Sequence, residues 1–277
     1  MKKIITMAAW RRPKYFKEVI DSLKVADGID NYKLLVSLDG GYHEKQKEMN
    51  QILRNSDLDY EVIIHSDNLG CAENTRYILD MGFKQHDKVI HIEDDTVLHP
   101  QALTWFEHNL DYYEHNPHIF SITGYTNGKL NELSLDGNWT EPHVVGIRSW
   151  FSCWGWATWK RVWDELKDSW FGIQWKDGIG VAHEGRQSRG DAFLQCVDKT
   201  NRGSWGIPMN HYWRKGRFEI SPHTSFIQNI GVEDSTWATQ EVHKYKQFTE
   251  WFKSNLIINQ SWEHFFVEDF MEGLDDY

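Results

Sequence analysis

The chain has 277 residues, enough for one large α/β domain or two small ones, and its 40% hydrophobic content supplies a sizeable core, which excludes disorder over its length. With 41 acidic against 30 basic residues, a formal net charge of -11 and no evident run of Lys and Arg, a broad nucleic-acid-binding surface is excluded as well. Cys71, Cys153 and Cys196 are odd in number and lack CxxC spacing, so neither a zinc site nor a disulfide framework is indicated.

In chain order, Lys2 and Lys3 precede a short apolar run that Trp10, Arg11, Arg12 and Pro13 interrupt. It reads as neither a signal peptide nor a transmembrane span, and a cytoplasmic protein is expected. Short runs rich in Ile, Val and Leu predict strands at Lys3–Met7, Tyr32–Leu38, Tyr60–His65, Lys88–Ile92 and Ile119–Thr123. Between the first two, Phe16, Val19, Ile20 and Leu23 fall at i, i+3, i+4 and i+7 of a helix that Pro13 opens. Glu44–Arg54 and Ala72–Phe83 read as surface helices, and Leu103, Phe106 and Leu110 repeat the helical spacing after Pro100. Strands alternating with helices argue for a mostly parallel sheet covered on both faces.

Ligands of such sheets gather beyond the carboxyl ends of the strands. The residues just past each predicted strand are Arg11 and Arg12, then Asp39-Gly40-Gly41, then Asp67-Asn68-Leu69-Gly70, then Glu93-Asp94-Asp95, and all are expected on one edge. Three acids closing a buried strand need a positive partner, because unpaired carboxylates are costly to desolvate. A Mg²⁺ or Mn²⁺ ion held by one or two carboxylates plus a substrate diphosphate suits them, and so does a solvated turn of acids ahead of the Pro100 helix. A hydrolase or a nucleotidyltransferase uses the same trio.

The second half lacks regular alternation and carries seven Trp between Trp150 and Trp175. Trp156, Trp159 and Trp163 are spaced as core residues on a helix Ala157–Leu166, whereas Trp150 and Trp154 stand in a Gly-containing loop suited to stacking on a sugar. His91 alternates with apolar residues and reads as structural, and His223 is a weak second candidate for a metal ligand. No repeat or linker divides the chain, so 1–277 is read as one domain: a regular half over 1–124, an irregular half over 125–253 and an acidic aromatic tail over 254–277.

Several ordered motifs resemble those of GT-A-fold glycosyltransferases, and in particular the N-acetylglucosaminyltransferase I family. They are Arg11 after the first strand, Val36-Ser37-Leu38-Asp39-Gly40, Ile-Glu-Asp-Asp-Thr-Val-Leu-His-Pro at 92–100, Gly155-Trp156, and Glu219-Ile220-Ser221 leading into Asn229-Ile230-Gly231-Val232. The resemblance spans roughly residues 3–237 and rests on their order. It implies an α/β, Rossmann-like GT-A sheet, flanked by helices, with an irregular Trp-rich acceptor-side half. It also implies an inverting transferase that moves a sugar from a UDP-sugar to a glycan hydroxyl, with UDP-N-acetylglucosamine a candidate donor and Mn²⁺ or Mg²⁺ the cofactor.

By the same resemblance Asp95 binds the metal, Asp94 and Glu93 reach the ribose and the donor sugar, and Asp39 bonds the base, with Asn74 near it. Arg11 lies near the diphosphate, Gly231 and Val232 close over the nucleotide, Asp191 at the start of a helix Asp191–Lys199 is the catalytic base, and Trp150 and Trp154 line the acceptor pocket. The chain departs from the family's pattern at Asn74, where a histidine is expected, and at Glu233, where a small hydroxyl residue is. The rival readings are a nucleotidyltransferase or hydrolase on the same fold and a catalytically silent carbohydrate-binding protein.

Overall fold

The computed structural model describes residues 1–125, 145–148, 151–167, 217–222 and 225–231. Asp191, Trp150, Val232, His223, the expected helix Asp191–Lys199 and the acidic tail lie outside them.

The first half is built as its periodicities demand. Strand β1 (Lys3–Ala9) leads into helix α1 (Pro13–Lys24), whose first position holds the proline and whose Phe16, Val19, Ile20 and Leu23 are fully buried. β2 (Tyr32–Leu38), α2 (His43–Arg54), β3 (Tyr60–Ile64), α3 (Cys71–Phe83) and β4 (Lys88–Glu93) follow. β1 pairs in parallel with β2 on one side and β4 on the other, and β2 pairs in parallel with β3. Residues Ile4 to Met7 of β1 are all buried, so both faces of the central strand are covered. On α3, Gly82 permits the closest approach: a Cβ there would stand 2.8 Å from the Thr6 methyl of β1.

β5 (Thr96–Leu98) comes next, a three-residue strand directly after the acidic trio that the alternation of the sequence does not announce. Helix α4 (Ala102–Tyr112) and β6 (Ile119–Thr123) lie where expected, and α4 packs on the sheet through Trp105, whose indole N–H donates to the Thr123 carbonyl at 2.9 Å.

Beyond β7 (Val145–Arg148), the expected helix Ala157–Leu166 proves to be a strand followed by a shorter helix, β8 (Trp156–Trp159) and α5 (Lys160–Leu166). The physical reason is pairing: β8 is inserted antiparallel between β4 and β6, with His91 opposite Trp156 and Ile122 opposite Ala157. A Trp-Ala-Thr-Trp run fits a pleated, buried surface, and ladder bonds on two sides override a helical spacing of tryptophans. Trp156 and Trp159, three apart on a strand, then face opposite ways. Trp156 packs on His91 and Phe151, Trp159 donates its indole N–H to the Leu110 carbonyl of α4, and only Trp163 remains on a helix, stacked 5.7 Å from Phe83.

β9 (Phe218–Pro222) pairs in parallel with β6 and antiparallel with β7. The resulting eight-stranded sheet has the order β3-β2-β1-β4-β8-β6-β9-β7, parallel except for β8 and β7, and it is flanked by helices as expected. β10 (Ile227–Asn229) leaves that sheet and pairs antiparallel with β5. Among the described residues no helix is long and apolar enough to cross a membrane.

Candidate active site

The expected convergence on one sheet edge is met through backbone as well as side chains. The β2 and β3 ends touch at Gly40, where a Cβ would lie 2.3 Å from the Asp67 carbonyl carbon. Asp39 ties the same loops: its carboxylate accepts from the amides of Gly40 (2.9 Å), Leu69 (2.7 Å) and Gly70 (3.0 Å). With two oxygens so occupied and the residue 2% exposed, Asp39 organises the loop that opens α3. Asn74, one turn into α3, is buried too, and it exchanges hydrogen bonds with the hydroxyl and carbonyl of Ser37.

At the end of β1 the chain makes a turn that no periodicity reveals. Arg11 adopts φ +47°, a left-handed conformation that costs a non-glycine residue about 1–2 kcal/mol. The turn sends Arg11 outward over the Trp10 ring, 4.3 Å from its centroid, and directs Arg12 back over the acids. Trp10 braces this exit: its amide donates to Asp94 at 3.1 Å, its indole N–H donates to the Gly40 carbonyl at 3.1 Å, and its ring meets Tyr42 edge-on. Arg12, and not Arg11, is therefore the cation on the carboxylates.

Glu93 ends β4, and Asp94 and Asp95 form the turn between β4 and β5. Both aspartates are buried, 3% and 6% exposed, which removes the solvated-turn alternative. Arg12 grips Asp94 with its Nη2 and Nε and donates its Nη1 to Asp95 Oδ2 at 2.7 Å. Burial opposes the guanidinium charge, yet Asp94 and Asp95 outweigh it and hold Arg12 protonated far above the ordinary arginine range. Burial pushes the Asp94 carboxyl up to about 6 despite Arg12, with Asp95 adding its repulsion. Removing one partner from so enclosed a pair costs about 3–5 kcal/mol, so Arg12 is integral to the acidic turn.

On the other side of Asp95 stands the end of β10, which its pairing with β5 brings in from a distant part of the sequence. Asn229 donates its amide to Asp95 Oδ1 at 3.0 Å, the Ile230 N–H donates to the Asp95 carbonyl at 2.9 Å, and the Gly231 N–H returns to the Asn229 side chain. Gly231 presses so closely that a Cβ would fall 2.0 Å from Asp95 Oδ2. Gly231 thus lies at the acidic turn, as part of its wall. Trp154 is half-buried and stands edge-on to Tyr125 at 4.7 Å. Sequence reading misses Arg12's role, Trp10 and Asn229. Trp10 carries no pattern, Asn229 stands in the Asn229-Ile230-Gly231-Val232 motif without a role of its own, and Arg12 is indistinguishable from Arg11 without the φ of the turn.

Beside the turn, Arg11, Arg12, Lys14, Lys17 and Lys45 line one groove between α1 and α2. Folding assembles these cations from residues that form no long run in the sequence, and several are paired: Arg12 with Asp94 and Asp95, Lys17 with Asp21 and Lys45 with Glu48.

His91 is a structural histidine. It is fully buried, its Nδ1 lies 3.0 Å from the Thr6 hydroxyl, and burial pushes its pKa down to about 3. Unfolding returns the imidazole to the ordinary value of 6.5, so between pH 6.5 and about 3 the unfolded chain binds a proton that the native state refuses. Stability should therefore fall with pH in that window by up to about 1.4 kcal/mol per unit from this residue. Asp94 works in the opposite sense between 3.8 and about 6, where the native state holds the extra proton. Comparing the wild type with His91→Gln by denaturant unfolding from pH 4 to 8 isolates the histidine. The variant should lose stability less steeply toward acid, and equal slopes would refute the assignment.

Comparison with known proteins gives a family model described as the GNT-I family over residues 2–202. Among solved structures, the mannosyltransferase PcManGT from Pyrobaculum calidifontis in complex with GDP-Man and Mn²⁺ matches with TM-score 0.44 and 10% identity, over 60% of this chain and 46% of that one. S. aureus TarS 1–349 in complex with UDP-GlcNAc matches with TM-score 0.37 and 18% identity, over 44% and 34%. Glucosyl-3-phosphoglycerate synthase from Mycobacterium tuberculosis, in complex with Mg²⁺ and UDP, matches with TM-score 0.35 and 13% identity, over 62% and 58%. The chain thus spans between 34% and 58% of the length of these solved chains. No curated protein sequence matches.

Proposed function

Because the chain belongs to the GNT-I family, we propose that it is a metal-dependent glycosyltransferase that moves a sugar from a UDP-sugar, with N-acetylglucosamine the first candidate, to a hydroxyl of a glycan, with inversion. The observation that carries this reading is the buried Asp94–Asp95 turn at the carboxyl edge of the sheet, held between Arg12 and the Asn229–Gly231 segment. Family membership supports the activity class; the donor, acceptor and metal are proposals.

The donor set fits a hard divalent cation. It offers carboxylate oxygens, while Asn229 turns its amide N–H to Asp95, and among the described residues no three His, Cys, Asp or Glu side chains are arranged to cage an ion. Mg²⁺ and Mn²⁺ suit such a site, because they bind through one or two carboxylates and take the rest of their ligands from water and substrate phosphates. In this reading Asp95 would hold the ion, with Asp94 beside it reaching the donor. When bound, it would neutralise the charge that develops on the departing nucleoside diphosphate. Glu93, half-buried at the end of β4, faces the donor's ribose and sugar. Asp39 keeps the β2 and β3 loops in register for the base, with Asn74 behind them. Arg11 and Arg12 supply cations for the phosphates, and Gly231 and Val232 close over the nucleotide. Asp191 takes the proton of the acceptor hydroxyl, and Trp150 and Trp154 offer their faces to the acceptor sugar.

Thermal unfolding against UDP, GDP, CDP and their sugars, with and without Mn²⁺, tests the reading. A ligand at 100 times its Kd adds about 2.7 kcal/mol, a clear shift. UDP and a UDP-sugar are expected to stabilise the protein only with Mn²⁺, and incubation with a glycan acceptor should release UDP. Release of pyrophosphate instead identifies a nucleotidyltransferase, and stabilisation by oligosaccharides alone identifies a binding protein; either overturns the proposal.

A further inference from the structure

Arg12 is set unlike a residue that waits for a substrate. Each of its three nitrogens donates to the two aspartates, two to Asp94 and one to Asp95, and its side chain is 19% exposed. The guanidinium bridges the carboxylates from the side opposite Asn229, so it does for the turn what a divalent cation would do: it holds two like charges together and satisfies their lone pairs. Arginine cannot give up its proton, so it cannot become a neutral bystander when a second cation arrives. The lone pairs directed at Nη1 and Nη2 are the ones an incoming ion needs.

We propose that Arg12 is a built-in cation surrogate, which shapes the Asp94–Asp95 turn in the absence of ligand and must be displaced before a divalent cation can bind there. The inference rests on the transferase reading and deepens it. Metal binding by the protein alone is then weak. It tightens once a nucleoside diphosphate is present, because the released guanidinium finds new anionic oxygens in the phosphates instead of being stranded beside the metal. Coupling of this kind is reciprocal, so the metal strengthens nucleotide binding by the same factor. The left-handed turn at Arg11 marks where the backbone of this arm is already bent. Trp10 is braced before Arg12 and α1 begins directly after it, so the proposed displacement is a rotation of the Arg12 side chain.

The test is Mn²⁺ binding, read by electron paramagnetic resonance of the free ion, to wild type, Arg12→Lys and Arg12→Gln, each with and without UDP. Lysine keeps the charge but cannot fork across two carboxylates, so it separates displacement from long-range repulsion. Both variants are expected to bind Mn²⁺ alone at least about tenfold more tightly than wild type, the scale of one lost charge-assisted competitor. The gain that UDP confers should shrink by a similar factor. Arg12→Lys with wild-type or weaker Mn²⁺ affinity overturns the proposal.

Should the variants fail to fold, the ¹⁵Nε–H signal of Arg12 in the wild type decides, followed as Mg²⁺ and UDP are added. Movement with loss of exchange protection supports displacement, and an unchanged signal at saturation refutes it. Wild type that binds no combination of UDP and metal fails the transferase reading, and the surrogate with it. Wild type that binds both, without a gain in Arg12→Lys, fails the surrogate alone.

Discussion

Asp95→Ala should lower kcat/KM by about 10³-fold or more, because it removes the carboxylate proposed to anchor the cation, and electrostatic help from a bound metal is worth several kcal/mol at 1.36 kcal/mol per decade. The same substitution takes away the acceptor for Asn229 and one anchor of Arg12, so part of any loss could be structural. Asp95→Asn separates the two. Its amide keeps the size of the side chain and one oxygen, but it gives up the charge that a hard cation needs. Steady-state kinetics for both variants, with urea unfolding alongside, are expected to show both enzymes inactive and Asp95→Asn the more stable. Asn at 95 with near-normal turnover and an unchanged Mn²⁺ requirement would remove Asp95 from the metal site. The backbone of the site should survive in either variant, since Ile230 is held by the Asp95 carbonyl rather than by its side chain.

The parts of this site that were legible in the sequence are those set by short-range rules. Hydrophobic alternation located β1, β2, β3, β4 and β6, and the rule that ligands gather past the carboxyl ends of parallel strands brought Arg12, Asp39, Gly40 and the acidic trio to one edge. What could not be read depends on contacts between distant segments. β5 is three residues long and exists because β10, more than a hundred residues later, pairs with it. Asn229 therefore reaches Asp95 without a local signal. The Trp-Ala-Thr-Trp run carries a helical spacing, and only the free ladders of β4 and β6 make it a strand. Arg11 and Arg12 look equivalent until one positive φ turns the first outward and the second inward. Asp39 illustrates the limit of resemblance. A motif placed it correctly at the strand end, and in the fold it also serves three backbone amides of the neighbouring loops.

Asp191→Asn should cut turnover by about 10²–10⁴-fold while leaving donor binding intact, the signature of losing general-base assistance. Asp191 lies outside the described residues, so its role rests on family resemblance and on chemistry. An inverting transfer needs a base for the acceptor hydroxyl. Asp94 and Asp95 are unsuited, since Arg12 and Asn229 already occupy their oxygens, and a cation that displaces Arg12 would occupy them in its place. The competing account makes Asp191 an acid at a helix start, favoured by the helix dipole. That role is worth about 0.3–1 kcal/mol of stability and nothing in chemistry beyond it. The two accounts part on three measurements. A base predicts a collapsed kcat, an unchanged shift of unfolding temperature with UDP and Mn²⁺, and loss of the acid limb of the pH–rate profile. A helix acid predicts a small fall in unfolding temperature with kcat and pH profile preserved. Normal turnover in Asp191→Asn would end the assignment and move the search for the base to the other acids of the acceptor-side half.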